Sequence, residues 1–261
     1  MKHRLGIIPD IDRLDDSLKL SWEYNTFFEY NDFFYPAIYQ SEGETRRRIN
    51  IYKSLDRDMS RDTMHGVFFD IAMTSTDEII RNRSRVLMNN SMEIAANLGV
   101  KGVVFHTGIN PGLWNRSYLD GWLDTAATWL DKLAKEYSHI DIYIENTFDK
   151  DPGVLTSLID LLSHRKNVKL CLDYGHALLT DTEDEEWVKQ MAPYVGHVHL
   201  NDHDMKEDLH LAPGKGLIDF ERFEDLMEEY EVDAQVLLEL NGAQEQLEAL
   251  KYMTKLEEGR E

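Results

Sequence analysis

Residues 167–177, NVKLCLDYGHA, decide how the rest of the chain is read. An almost unbroken apolar run ends at Asp173, and a turn then carries the chain past His176. A run that is apolar on both faces reads as a parallel strand covered on both sides. Seven further runs of similar length recur along the sequence: RLGIIP (4–9), NTFFEYN (25–31), DTMHGVF (62–68), KGVVFHT (101–107), IDIYIEN (140–146), GHVHLND (196–202) and AQVLLEL (234–240). Most are separated by enough residues for a crossover helix. The clearest helix is predicted from about Thr76 to Leu98, with capping-box spacing at Ser75 and Glu78 and a stop at Gly99. Another is predicted to open on Asp151 as N-cap, with Pro152 at the first helical position. Residues 116–136, 219–230 and 243–256 also have helical periodicity, and a helix is expected around Glu44–Leu55. Eight strands with intervening helices predict an α/β fold, a single (β/α)8 TIM barrel forming one domain over 1–261. An open doubly wound sheet fits less well, because IIPDIDR stands where a glycine-rich nucleotide loop would follow the first strand.

Composition narrows the function classes. Of the 261 residues, 42% are apolar, enough for a sizeable core, and 49 Asp and Glu against 28 Lys and Arg give a net charge of −21. That charge disfavours nucleic acid and anionic membranes without forbidding them, because a local patch or bound cations can reverse the field. The single cysteine, Cys171, excludes an internal disulfide framework and a multi-thiolate metal site. No run approaches 18 uninterrupted apolar residues, and the opening MKHRLGIIPDIDR lacks the pattern of a signal peptide. A soluble, cytoplasmic protein with no membrane partner is expected, and a homo-oligomer is compatible with it.

The chemistry-bearing residues share one position in the pattern. His65, His106, Glu145, Asp173, His199 and Glu239 fall one each on the third to eighth strand runs, mostly near their C-terminal ends. In a barrel those ends converge on one mouth, where active sites are built. Singly, each has a plainer explanation: a strand-terminal Asp caps the next helix, and a lone His is usually a satisfied core or surface group. Glu145 and Glu239 resist that reading, because each ends a run too apolar for a solvated edge, and a buried carboxylate needs a cation or several donors. Two compact clusters add to the pattern, LCLDYGHA (170–177) and HVHLNDHDMKEDLHLAPGKG (197–216). In the second, Asp208 and His210 would face the same side of an extended loop. Together these residues predict at least one divalent metal ion.

These motifs resemble the xylose isomerase-like TIM-barrel superfamily, which includes sugar isomerases and epimerases and endonuclease IV. The resemblance runs from about residue 60 to 242. In the epimerases it implies a catalytic metal held by Glu145 in IYIENT, Asp173 in LCLDYGHA, His199 in HVHLND and Glu239 in LLELNG. In endonuclease IV it implies three zinc ions. One would take His65, His106 and the bridging Glu145, the second the four residues just named, and the third His176, Asp208 and His210. The pattern from Asp208 to Asp219, DLHLAPGKGLID, also resembles that of isomerase/epimerase-like members, whose outer histidines would bind substrate hydroxyls.

The leading expectation is therefore a metal-dependent isomerase or epimerase of a small carbohydrate, a sugar, sugar phosphate or polyol. It would work by proton transfer through an enediolate, with Glu145 and Glu239 as acid and base. Phe34, Phe69 and Trp114 are candidates for the apolar wall of a sugar pocket. Lys206 and Lys215 are the cations expected near a substrate phosphate. Zinc or manganese is expected, one ion or as many as three. The alternative is a zinc-dependent endonuclease acting on abasic DNA. Its only candidate basic patch, Arg46, Arg47 and Arg48, lies beside Glu42 and Glu44 and wraps around a helix, the pattern of a solvated face.

Overall fold

The apolar runs form eight short parallel strands: β1 (Leu5–Ile7), β2 (Phe27–Tyr30), β3 (Thr63–His65), β4 (Gly102–His106), β5 (Asp141–Glu145), β6 (Val168–Asp173), β7 (Val195–Leu200) and β8 (Gln235–Leu238). They pair in chain order and close on themselves, β1 against β8 with Leu5, Gly6 and Ile7 opposite Val236, Leu237 and Leu238. The computed structural model describes residues 4–69 and 71–260. The expected (β/α)8 barrel is the observed fold. No helix among the described residues is long and apolar enough to cross a membrane.

Ten α-helices are described: α1 (Leu14–Tyr24), α2 (Pro36–Tyr39), α3 (Glu42–Lys53), α4 (Glu78–Leu98), α5 (Arg116–Glu136), α6 (Gly153–Leu161), α7 (Tyr174–Leu178), α8 (Asp184–Met191), α9 (Phe220–Glu229) and α10 (Ala243–Glu258). Most of the longer ones turn an apolar stripe inward. In α5 the buried residues Trp122, Ala126, Leu130 and Leu133 recur at helical spacing, and the Trp122 indole N–H donates to the Thr107 carbonyl just beyond β4.

Two helix starts differ from expectation. Asp77, not Ser75, caps α4, because its carboxylate accepts the Ile79 N–H, while the Ser75 hydroxyl accepts the N–H of Asp77 itself. In α6 the cap is Pro152, one residue later than predicted, and Asp151 accepts the Gly153 N–H from outside the helix. Gly99 ends α4 as expected, in the left-handed conformation with φ 81°.

At the N-terminal end of the barrel, ion pairs and amides close the floor. Lys169 meets Asp141 at 2.8 Å, and Lys101 donates to Gln235 at 2.6 Å. Above this floor, Val104, Tyr143 and Cys171 pack together, and the Tyr143 ring stacks on His197 at 5.1 Å between centroids. The β6–β7 pairing steps from Leu170 opposite Val195 to Cys171 opposite His197, leaving Gly196 as the extra residue. Beyond that step Asp173 lies directly opposite His199. Barrel closure and this register bring the C-terminal strand ends to one mouth.

Candidate metal centre

The strand ends carry the ionisable groups to that mouth. His65 is the last residue of β3, His106 of β4, Glu145 of β5 and Asp173 of β6; His199 is next to last in β7, and Glu239 directly follows β8. One ligand atom from each of Glu145, Asp173, His199 and Glu239 lies within 4.8 Å of the other three. His199 Nδ1 stands 3.3 Å from Glu145 and 3.4 Å from Glu239. His65 and His106 approach Glu145 Oε2 through Nε2, at 3.5 and 3.4 Å. A third group forms on the rim, where the Nε2 atoms of His176 and His210 lie 3.2 and 3.1 Å from the same oxygen of Asp208.

Backbone carbonyls set the tautomers of the outer histidines. A carbonyl can only accept, so His65 Nδ1 donates to Gly66, His176 Nδ1 to Asn146 and His210 Nδ1 to Glu239. Each of these rings thereby presents Nε2 to the centre, as a metal ligand or a substrate-binding group would. The Asn146 side chain locks the neighbouring strand end, donating to the Asp173 carbonyl and accepting the Asp173 N–H.

The electrostatics of these groups are those of a cation site. Burial, and then the Glu239 and Glu145 carboxylates, push Asp173 up to about 7 against the pull of His176. Against the penalty of burial, His199 and His106 hold Glu145 well below the usual carboxylate range. Burial works against His210 as well, but Asp208 and Glu239 raise it to about 9. Glu145 Oε2, Asp173 Oδ2, Glu239 Oε2 and both ring nitrogens of His199 find no hydrogen-bond partner among the described residues. Buried polar atoms are nearly always satisfied, so the four that converge, the three carboxylate oxygens and His199 Nδ1, mark a missing partner, while His199 Nε2 faces Glu29 on the far side of the ring. Three carboxylate oxygens and one imidazole nitrogen fit a divalent cation.

The loop after β7 is built around one carboxylate. Asp202 is fully buried and accepts four backbone N–H groups, from His203 and Ile218 on one oxygen and Gly214 and Gly216 on the other, at 2.7–3.0 Å. Its own backbone pairs in antiparallel fashion with Leu211. A Cβ on Gly216 would fall 2.4 Å from the Asp202 carboxylate, so only glycine fits there. This knot presents Asp208 and His210 to the mouth.

A cavity of about 810 Å³ opens over the centre. Glu145, Glu239, His65, His106, His176, Asp208 and His210 line one part of it, and Phe34, Tyr35, Phe68, Pro111, Phe148 and Leu179 another. Phe69 packs on Phe68 and Phe34 at the rim but is not itself part of the lining. Trp114 lies elsewhere, over a separate hollow with Leu119 and Asp151, and Lys215 turns away to pair with Glu248 at 3.0 Å. Among the described residues, Lys150 is the one Lys or Arg lining the cavity. The arginines of α3 are engaged by acids, Arg46 by Glu42, Arg47 by Glu44, and Arg48 by Glu44 and Asp32.

Sequence reading missed Glu29, His197, Asp149 and Asp202. Glu29 carried a usable signal, since it interrupts the aromatic run of β2 as Glu145 ends the apolar run of β5. Asp149, beside the cavity, is pushed up to about 6 by burial, against hydrogen bonds from the Thr147 N–H and the Thr107 hydroxyl.

Comparison with known proteins agrees with this architecture. A family model described as xylose isomerase-like TIM barrel matches residues 27–256. An uncharacterized protein of Methanocaldococcus jannaschii is 28% identical over an alignment of 187 positions that covers 67% of this chain and 63% of that protein. The match thus spans less than two thirds of that relative. Three solved structures share the fold. A D-tagatose 3-epimerase-like protein superimposes with a TM-score of 0.77 at 21% identity, over 98% of this chain and 97% of that one. A protein from Thermus thermophilus, soaked with ZnCl2, gives 0.74 at 19%, over 97% of each chain. An L-ribulose 3-epimerase gives 0.73 at 16%, over 98% and 95%.

Proposed function

The chain belongs to the xylose isomerase-like TIM barrel family, and from that premise we propose that it is a divalent-metal-dependent epimerase or isomerase of an uncharged sugar. The observation that carries this reading is the convergence of Glu145, Asp173, His199 and Glu239, with orphaned atoms on all four. An ion held there supplies a Lewis acid for neighbouring hydroxyl and carbonyl oxygens.

The chain's own groups do the rest. Glu145 and Glu239 come from β5 and from the end of β8, so they reach the cavity from different arcs of the barrel wall. One takes the proton from the carbon beside the carbonyl, leaving an enediolate, and the other returns a proton to the same carbon or its neighbour. His176 and His210, with Nδ1 tied to backbone, aim Nε2 at hydroxyls and fix the sugar's orientation. Phe34 and Phe68 cover an apolar face of the ring and narrow the access of water. Lys150 is the one Lys or Arg in the cavity among the described residues, which favours a substrate without phosphate.

The two further ligand clusters, His65–His106–Glu145 and His176–Asp208–His210, favour as a second reading a trinuclear zinc hydrolase of abasic DNA. The scarcity of cations at the mouth and the net charge of −21 favour the sugar.

Incubating the metal-loaded protein with free ketoses in D2O tests the proposal. Deuterium should enter at the carbon beside the carbonyl, with formation of the epimer or aldose. Glu239→Gln should lower that rate by about 10²–10⁴-fold. Cleavage of an abasic duplex, without exchange on any free sugar, would overturn the assignment in favour of the hydrolase.

A further inference from the structure

Beneath the centre lies a second buried carboxylate that the proposed reaction does not use. Glu29 stands on β2 with no exposed surface and reaches across the barrel interior to β7. Its Oε2 accepts the Thr63 hydroxyl from β3 at 2.7 Å and lies 2.9 Å from His197 Nε2. Oε1 lies 3.2 Å from His199 Nε2 and has no hydrogen bond from any described residue. The opposite nitrogen of that ring, Nδ1, faces Glu145 and Glu239. The His199 imidazole is thus placed between two acidic groups, one nitrogen toward each.

We infer that Glu29 is a positioning residue that keeps the proton of His199 on Nε2 and so leaves the Nδ1 lone pair free for the ion. The inference rests on the metal site of the preceding section. A neutral imidazole carries a single proton, and which nitrogen holds it depends on the partner at each end. Oε1 is an acceptor without a donor, and Nε2–H is the donor within reach. The Thr63 hydroxyl and His197 fix the other carboxylate oxygen, so Glu29 cannot turn away from the ring. Partners of this kind, behind a ligating histidine, set its orientation and strengthen metal binding. Isosteric Glu29→Gln can present an amide N–H to His199 Nε2. That donor would favour the opposite tautomer, with the proton on Nδ1 where the ion should bind.

The test uses zinc alone as the probe, on full-length protein stripped of metal. In ¹⁵N-histidine-labelled wild type loaded with zinc, His199 should show a protonated Nε2 and a metal-bound Nδ1. Zinc bound through Nε2 overturns the inference, and this measurement needs no variant to fold. Glu29→Gln should weaken zinc affinity by about 10–100-fold while leaving the metal-free unfolding midpoint nearly unchanged. A general packing defect would instead lower that midpoint. Thr63→Val, which removes one of the two partners of Glu29 Oε2 but retains the carboxylate, should show a smaller loss of affinity. Wild-type affinity in Glu29→Gln refutes the role of Glu29 and leaves the metal site standing. A wild type that binds no zinc, manganese or magnesium ion removes the metal site and this inference together.

Discussion

Glu224 shows what this fold does to a carboxylate that is buried away from the proposed centre. It lies on α9 with 8% of its surface exposed, and Oε1 has no hydrogen bond from the described residues. Burial pushes its ionisation up to about 7, with Arg4 pulling the other way. In the unfolded chain a glutamate ionises near ~4.3. Between these values the unfolded chain gives up a proton that the folded chain keeps, so stability falls as pH rises from about 4 to about 7 and stays lower above. Glu224→Gln should therefore stabilise the protein by about 1–2 kcal/mol at pH 8, after allowance for partial solvent screening, and by almost nothing at pH 4. Urea unfolding at the two pH values measures this; an equal shift at both would point to packing instead of ionisation. The contrast with Glu145 and Glu239 is instructive. Glu145 is more deeply buried and Glu239 somewhat less, yet histidines draw both toward the charged form, as a cation site requires.

Among the elements, the 202–218 loop depends most on a single group. Four backbone N–H groups converge on Asp202, and no neighbouring side chain among the described residues replaces that carboxylate as their acceptor. Asp202→Ala would orphan them and should lower stability by about 3 kcal/mol or more. It should also release Asp208 and His210 from the mouth while the strand-borne ligands stay in place. Hydrogen exchange should rise over 203–218 first, and uniform protection across the variant would contradict this account.

The same scale shows what the sequence could reveal. The eight strands were legible because parallel strands covered on both faces leave apolar runs, and the structure trims most of them by a residue or two where ladder pairing stops. Helix α1 was not predicted: it follows Arg13 without a side-chain cap and buries only Ser17, Leu20 and Ser21. Helices α7 and α8 are too short to show a period. An ionisable residue closing an apolar run stands out, so the strand-end groups that converge at the mouth were readable. The partnership of Glu29 with His197 and His199 was not. It spans β2 and β7, which are not neighbours in the sheet, and arises only when the barrel closes.

At the scale of the whole molecule, Glu145, Asp173, His199 and Glu239 bring β5, β6, β7 and the end of β8 to one point. An ion bound to the native barrel alone should stabilise it by about 2.7 kcal/mol at a free concentration 100 times its Kd. For a chain of this size that is a rise in Tm of about 5–10 °C, reversed by a chelator. Calorimetry with and without zinc or manganese measures it, and a Tm indifferent to every divalent ion would count against the centre. Part of the −21 charge belongs here. Glu145, Asp173, Asp208 and Glu239 gather where a cation would offset them, whereas residues 219–261, with 13 further acids and 4 bases, account for much of the remainder.

Closure by β8 also gives the site a history within each molecule's synthesis. Glu239 is carried just beyond the last strand, and its N–H bonds to Leu200 while β8 inserts between β7 and β1. A nascent chain that already contains β1 to β7 holds Glu145, Asp173 and His199 but has neither the fourth ligand nor a sealed wall. An ion held by all four residues would therefore be captured only after the final strand is in place.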